Sequence, residues 1–122
     1  MEKWDVYDMN GNVTGKLKTR QDVFNDGEYH LGVSVWIVNK NNELLIQKRA
    51  EAKRIKPNIW STTGGAAQAG ENSETTCVRE VFEEIGIIIK PQEIKLLSRS
   101  FGKDIIFDDF IVFADFPVSA CV

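Results

Sequence analysis

The chain has 122 residues, 43% hydrophobic and 27% charged, with a formal net charge of −3 at pH 7. That length suits one domain, which would bury roughly two thirds of the surface its unfolded chain exposes and needs no disulfide for stability. The mild acidity, with pI near 5.2, argues against a protein that coats a nucleic acid polymer, and no apolar run approaches the ~20 residues of a membrane span, so neither is expected as a partner.

The N-terminal MEKWDVYDMN lacks an apolar core behind a basic start, which does not read as a secretory signal and leads to an expected cytoplasmic location. WDVYD and NVTGKL then read as a hairpin within residues 1–18, turning at Asn10 and Gly11, a pair suited to positive φ. HLGVSVWIVN and ELLIQKR read as two further strands around the polar turn NKNN, and the first, with few charges, is expected at the sheet centre. In QKRAEAKRIK, five of the fifteen basic residues (Lys48, Arg49, Lys53, Arg54 and Lys56) fall within nine positions. A solvated loop and a rim that attracts an anionic ligand both fit that cluster.

Pro57 opens a predicted loop, IKPNIWSTTGGAAQAGE, whose Gly64, Gly65 and Gly70 permit backbone shapes that other residues resist. Asn72 and Ser73 are good N-caps and Gly86 a natural residue past a C-terminus, which bounds a helix from about Glu74 to Ile85. Cys77 inside that helix and Cys121 beside the last residue fit reduced thiols rather than a bridge. After Pro91, EIKLLSRSF and DIIFDDFIVFADF read as the last two strands, joined near Gly102 and Lys103. Strands, helix, strands is the order of an α+β fold, a mixed sheet with a helix on one face.

At about 100° per residue, Val78, Val81, Phe82 and Ile85 share an arc of about 100° and are expected to pack on the sheet. Glu80, Glu83 and Glu84 fall together on the opposite side. Like charges at that spacing weaken a helix, so something should compensate; water would do so on a fully solvated face. The glycine-rich entry, with Glu71 at its join, favours another answer: hard oxygen donors on a rigid helix suit Mg²⁺, which takes one or two carboxylates plus substrate phosphates. The residues thus point to a metal-dependent phosphate site. Arg79 is placed either to orient a carboxylate or to lie in solvent.

From Gly65 to Ile87 the chain resembles the Nudix box: a glycine, five residues, a glutamate, seven residues, then REVFEEIGI, with every fixed position present across 23 residues. Membership of the Nudix (MutT-like) hydrolase superfamily implies an α/β/α sandwich with a mixed sheet. It also implies hydrolysis of a pyrophosphate bond in a nucleoside diphosphate linked to another moiety, or a similar small diphosphate, with Mg²⁺ or Mn²⁺. Carried over by position, Glu80 and Glu84 would bind metal together with the Gly65 carbonyl, and Glu83 would be a further ligand or position water. Arg79 would orient the acids, and Glu71 would support the loop or contact a metal. Lys48, Arg49 and Lys53 would meet the substrate's negative charge, and Glu71, Glu83, Asp108 and Asp109 are candidates for the general base.

The N-terminal segments and the lysine-rich stretch also resemble a branch related to isopentenyl-diphosphate isomerases. That branch's catalytic Cys and metal-binding His positions are Gly64 and Ala66 here, and His30 matches another ligand position or is structural. Residues 1–122 read as a single Nudix domain with its hairpin at 1–18 and its box at 65–87. The family pattern calls for a further strand and a C-terminal helix after IIFDDFIVFADF, which these residues lack. A shortened chain or completion by a second subunit, as in a homodimer, would each account for the gap. A non-catalytic ligand-binding module and an isomerase are the alternatives to the hydrolase.

Overall fold

A computed structural model describes residues 2–39, 44–45, 47–48, 60–61 and 63–114. Strands β1 (Lys3–Tyr7) and β2 (Val13–Thr19) form the expected hairpin. Its turn is closed by Asp8, whose side chain accepts the Asn10 and Asn12 amides at 2.9 and 3.0 Å.

Strand β3 (His30–Val38) is the centre of the main sheet. It pairs antiparallel with β4 (Leu44–Leu45). Strands β5 (Gln47–Lys48) and β6 (Trp60–Ser61) pair with each other. Strand β7 (Thr63–Ala66) lies antiparallel to β3, with Val33 opposite Gly65. Helix α1 (Ser73–Ile85) follows, then β8 (Ile94–Phe101) and β9 (Ile105–Phe113). Strand β9 runs parallel to β3 and antiparallel to β8, which makes the sheet mixed. β3 is flanked on both sides and covered by α1 on one face; Leu31, Val33, Val35 and Ile37 are all buried, as an almost unbroken apolar run requires.

The glycine-rich loop is therefore shorter than expected, because Thr63 to Ala66 form β7. The two glycines are there for close packing: a Cβ on Gly64 would collide with the Val33 carbonyl oxygen. The helix agrees with expectation at both ends. Asn72 accepts the Thr75 amide at 2.8 Å while the Thr75 hydroxyl accepts the Asn72 amide at 3.0 Å, and Gly86 closes the C-terminus with φ +74°.

The packed stripe is rotated from the expected one. Ser73, Cys77, Val81 and Ile85, each four residues on, are buried, the last three against Val33, Val35, Ile37, Phe110 and Val112. Phe82 lies about 100° beyond Val81 and is 55% exposed, so it is not part of the core. The same rotation brings Glu80 and Glu84 to the border of the packed face instead of its opposite side, while Glu83 points outward with its side chain 55% exposed. Among the described residues α1 is the one α-helix; the far face of the sheet carries Trp36 and Phe113, 38% and 58% exposed, and no second helical layer.

The rotation is testable by denaturant unfolding. Val81→Ala should cost about 2–3 kcal/mol through lost burial and a cavity, and Phe82→Ala under about 0.5 kcal/mol. Equal losses would contradict the observed packing.

Candidate functional site

Helix α1 packs beside β7, whose one strand partner among the described residues is β3, and sets its carboxylates against that strand. The Gly64 amide donates to Glu84 Oε2 at 3.1 Å, and the Ala66 carbonyl accepts from Arg79 Nη2 at 3.1 Å. Gly64 and Ala66 thus direct their polar groups off the edge, and strand alternation turns the Gly65 carbonyl toward β3. Gly65 enters the site through its missing side chain. A Cβ there would stand 2.6–2.8 Å from the Glu80 carboxylate, which occupies that space.

Arg79 joins the acids. Its Nε donates to Glu71 Oε2 at 2.7 Å and Nη2 to Glu71 Oε1 at 2.9 Å, a bidentate pair. Its Nη1 spans Glu80 Oε1 at 2.8 Å and Glu83 Oε2 at 3.3 Å. Glu71 also receives the Gln68 amide at 2.8 Å and the Thr76 hydroxyl at 3.2 Å. Burial alone would raise the Glu71 carboxyl, but the Arg79 and Gln68 hydrogen bonds outweigh it and hold it below the ordinary value. At Glu80 the balance reverses: burial, with Glu84 and Glu83 nearby, outweighs Arg79 and pushes its carboxyl up to about 7.

A second network, centred on a buried carboxylate, fixes where α1 begins. Asp108 on β9 is 1% exposed; it accepts the Ser73 hydroxyl at 2.8 Å and Arg99 Nε and Nη2 at 2.7 and 2.8 Å. Asp108 is thereby committed to its partners, and Asp109 accepts the Ser98 hydroxyl at 3.4 Å. The sequence reading missed Arg99, although the hairpin turn at Gly102 sets a register that pairs Arg99 with Asp108. Asp5, Tyr7, Gly70, Glu71, Ser73 and Arg99 help line a cleft of about 460 Å³ between hairpin and helix.

Lys48 lies on β5, opposite Trp60; Arg49, Lys53 and Cys121 lie outside the described residues. Cys77 is free and buried, with its thiol pushed up to about 12, mainly by desolvation. His30 stacks on Trp4 with ring centroids 4.2 Å apart and packs near Phe24, and its buried Nδ1 has no hydrogen-bond partner among the described residues. No helix is long and apolar enough to cross a membrane among the described residues.

Because Glu80 titrates above its ordinary 4.5, its ionisation costs the folded state stability as pH rises from about 4.5 to about 7. Glu80→Gln should therefore raise the melting temperature of cation-free protein at pH 8 and leave it nearly unchanged at pH 5. An equal effect at both pH values would contradict this balance.

The NUDIX domain family model matches residues 28–117. An uncharacterized Nudix hydrolase of Listeria monocytogenes is 43% identical over 90 residues, 73% of this chain and 53% of that protein. An isopentenyl-diphosphate Delta-isomerase of Escherichia coli is 33% identical over 84 residues, 68% of this chain and 46% of that protein. The chain spans about half the length of these curated relatives. The crystal structure of DR0079 from Deinococcus radiodurans superposes with a TM-score of 0.76 at 23% identity, over 95% of this chain and 74% of that one, a likeness of fold. With the matched region containing β3, β7, α1 and the Arg79-linked acids, the chain belongs to the Nudix family.

Proposed function

We propose that the chain hydrolyses the pyrophosphate bond of a nucleoside diphosphate linked to another moiety, or of a similar small diphosphate, with the help of Mg²⁺ or Mn²⁺. The observation that carries this reading is the Arg79 guanidinium bridging Glu71, Glu80 and Glu83 at the edge of β7, with Glu84 beside them on the same edge. Family membership supports hydrolysis in general.

Among the described residues no three His, Cys, Asp or Glu side chains are gathered as a metal-binding group, which is compatible with an ion held by one or two carboxylates plus substrate phosphates. Glu80 is a carboxylate whose burial among like charges disfavours ionisation, so a cation close by would relieve it. Glu80 and Glu84 would hold the ion, and the Gly65 carbonyl would join them only by leaving its place in the ladder. Bound there, Mg²⁺ would neutralise charge on the diphosphate oxygens and lower the pKa of a water. Arg79 keeps Glu71 ionised and sets the orientation of Glu80, while the exposed Glu83 carboxylate is free enough to reach a water or a further ligand position. Lys48, Arg49 and Lys53 would attract the anionic substrate.

A second reading, isomerisation of isopentenyl diphosphate, draws on the identity with the Escherichia coli isomerase. Against it, His30 is packed on Trp4 and hydrogen-bonds none of the carboxylates through Nδ1. The test is a panel of nucleoside diphosphate derivatives, with isopentenyl diphosphate included, assayed with Mg²⁺. Glu84→Gln should lower hydrolytic turnover about 100-fold. Turnover within twofold of wild type would contradict the assignment, binding without turnover would favour a ligand-binding module, and conversion of isopentenyl diphosphate would favour the isomerase.

A further inference from the structure

The N-terminal hairpin precedes the region matched by the family model, yet β1 is bound to the loop that delivers Glu71. The Ala69 amide donates to the Lys3 carbonyl at 2.8 Å, the Gly70 amide to Asp5 Oδ2 at 2.8 Å, and the Gln68 side-chain amide to Glu2 Oε1 at 3.1 Å. Ala69 and Gly70 are thus held by β1, and Gln68 by the residue that precedes it. The loop itself is a closed turn: the Glu71 amide donates to the Gln68 carbonyl at 3.0 Å and the Gln68 amide returns to Glu71 Oε1 at 2.8 Å. Gly70 has φ +89°, open to glycine and strained for other residues.

A turn closed on itself moves as a unit, so its position relative to α1 depends on its outside anchors. On one side stand two residues of α1, Arg79, bidentate on Glu71, and Thr76, whose hydroxyl donates to Glu71 Oε1 at 3.2 Å. On the other stands β1, itself tied to the residue just before β3 by paired hydrogen bonds between Tyr7 and Tyr29 at 2.8 and 3.0 Å. We propose that Asp5 is a positioning residue: by fixing the Gly70 amide it fixes Glu71, through Glu71 the guanidinium of Arg79, and through Arg79 the carboxylate of Glu80. The proposal rests on the reading that this cluster serves hydrolysis, and its first test does not need that reading.

In cation-free protein, solvent exchange of the Arg79 Nε–H proton can be followed by NMR. Asp5→Ala should speed it about tenfold, and should lower kcat for the best Mg²⁺-dependent substrate by about tenfold with KM little changed, the low end of the range for groups that support a site without entering it. Asp5→Asn, whose side-chain oxygen still accepts the Gly70 amide, should restore both. Thr14→Val removes the 2.8 Å bond from the Thr14 hydroxyl to the Val6 carbonyl in the same hairpin and should move neither. Unchanged Arg79 exchange in Asp5→Ala, or equal acceleration in Thr14→Val, would overturn the proposal. A chain that hydrolyses nothing but shows the Asp5 effect on exchange would remove the proposed activity and leave the brace.

Discussion

All five N–H donors of Arg79 are engaged, two by Glu71 and one each by Glu80, Glu83 and the Ala66 carbonyl. A guanidinium cannot be deprotonated in a protein and presents its donors in a fixed plane. One side chain therefore sets the relative positions of three carboxylates and of the β7 backbone. Without it, partly buried acids on one helix would repel each other across a low-dielectric contact. The candidate site is a device for holding negative charge together, and the rest of the structure keeps that device in register.

Two features do most of this. The first is space at β7: Gly64 and Gly65 let a helix and a central strand approach so closely that a side chain at either position would meet the Val33 carbonyl or the Glu80 carboxylate. The second is the fixed start of α1. Its capping box satisfies backbone groups locally, and the Ser73–Asp108–Arg99 network, with Asp108 buried at its centre, anchors its first turn to β9 and β8. A buried carboxylate with a bidentate partner and a hydroxyl donor is a demanding arrangement, since removing one partner strands the others. Helix position, and with it the angle at which Glu80 and Glu84 meet the strand, is thereby determined at both ends of the chemistry.

Much of this was legible in the sequence because it is local. Caps at Asn72 and Gly86, the hairpin at Asn10–Gly11 and the low charge of HLGVSVWIVN each act within a few residues, and each was read correctly. Strand β7 was not, since glycine carries no strand signal and only the partner strand explains its presence. The exposure of Phe82 was hidden for a related reason: a helical wheel gives the relative angle of residues, while contact with β3 and β7 decides which angle faces inward. Arg99 with Asp108, and Asp5 with Gly70, join elements distant in the chain, so spacing alone carries little trace of them.

The central claim is that the acids gathered by Arg79 form a cation site at the edge of β7. The most direct measurement is titration of isotope-labelled protein with Mn²⁺, followed by amide NMR, because the paramagnetic ion broadens nearby signals. The account predicts that broadening appears first at Gly64–Ala66 and at Glu80–Glu84, and that Glu84→Gln weakens it there. Broadening that begins elsewhere, or that is unchanged by Glu84→Gln, would contradict it.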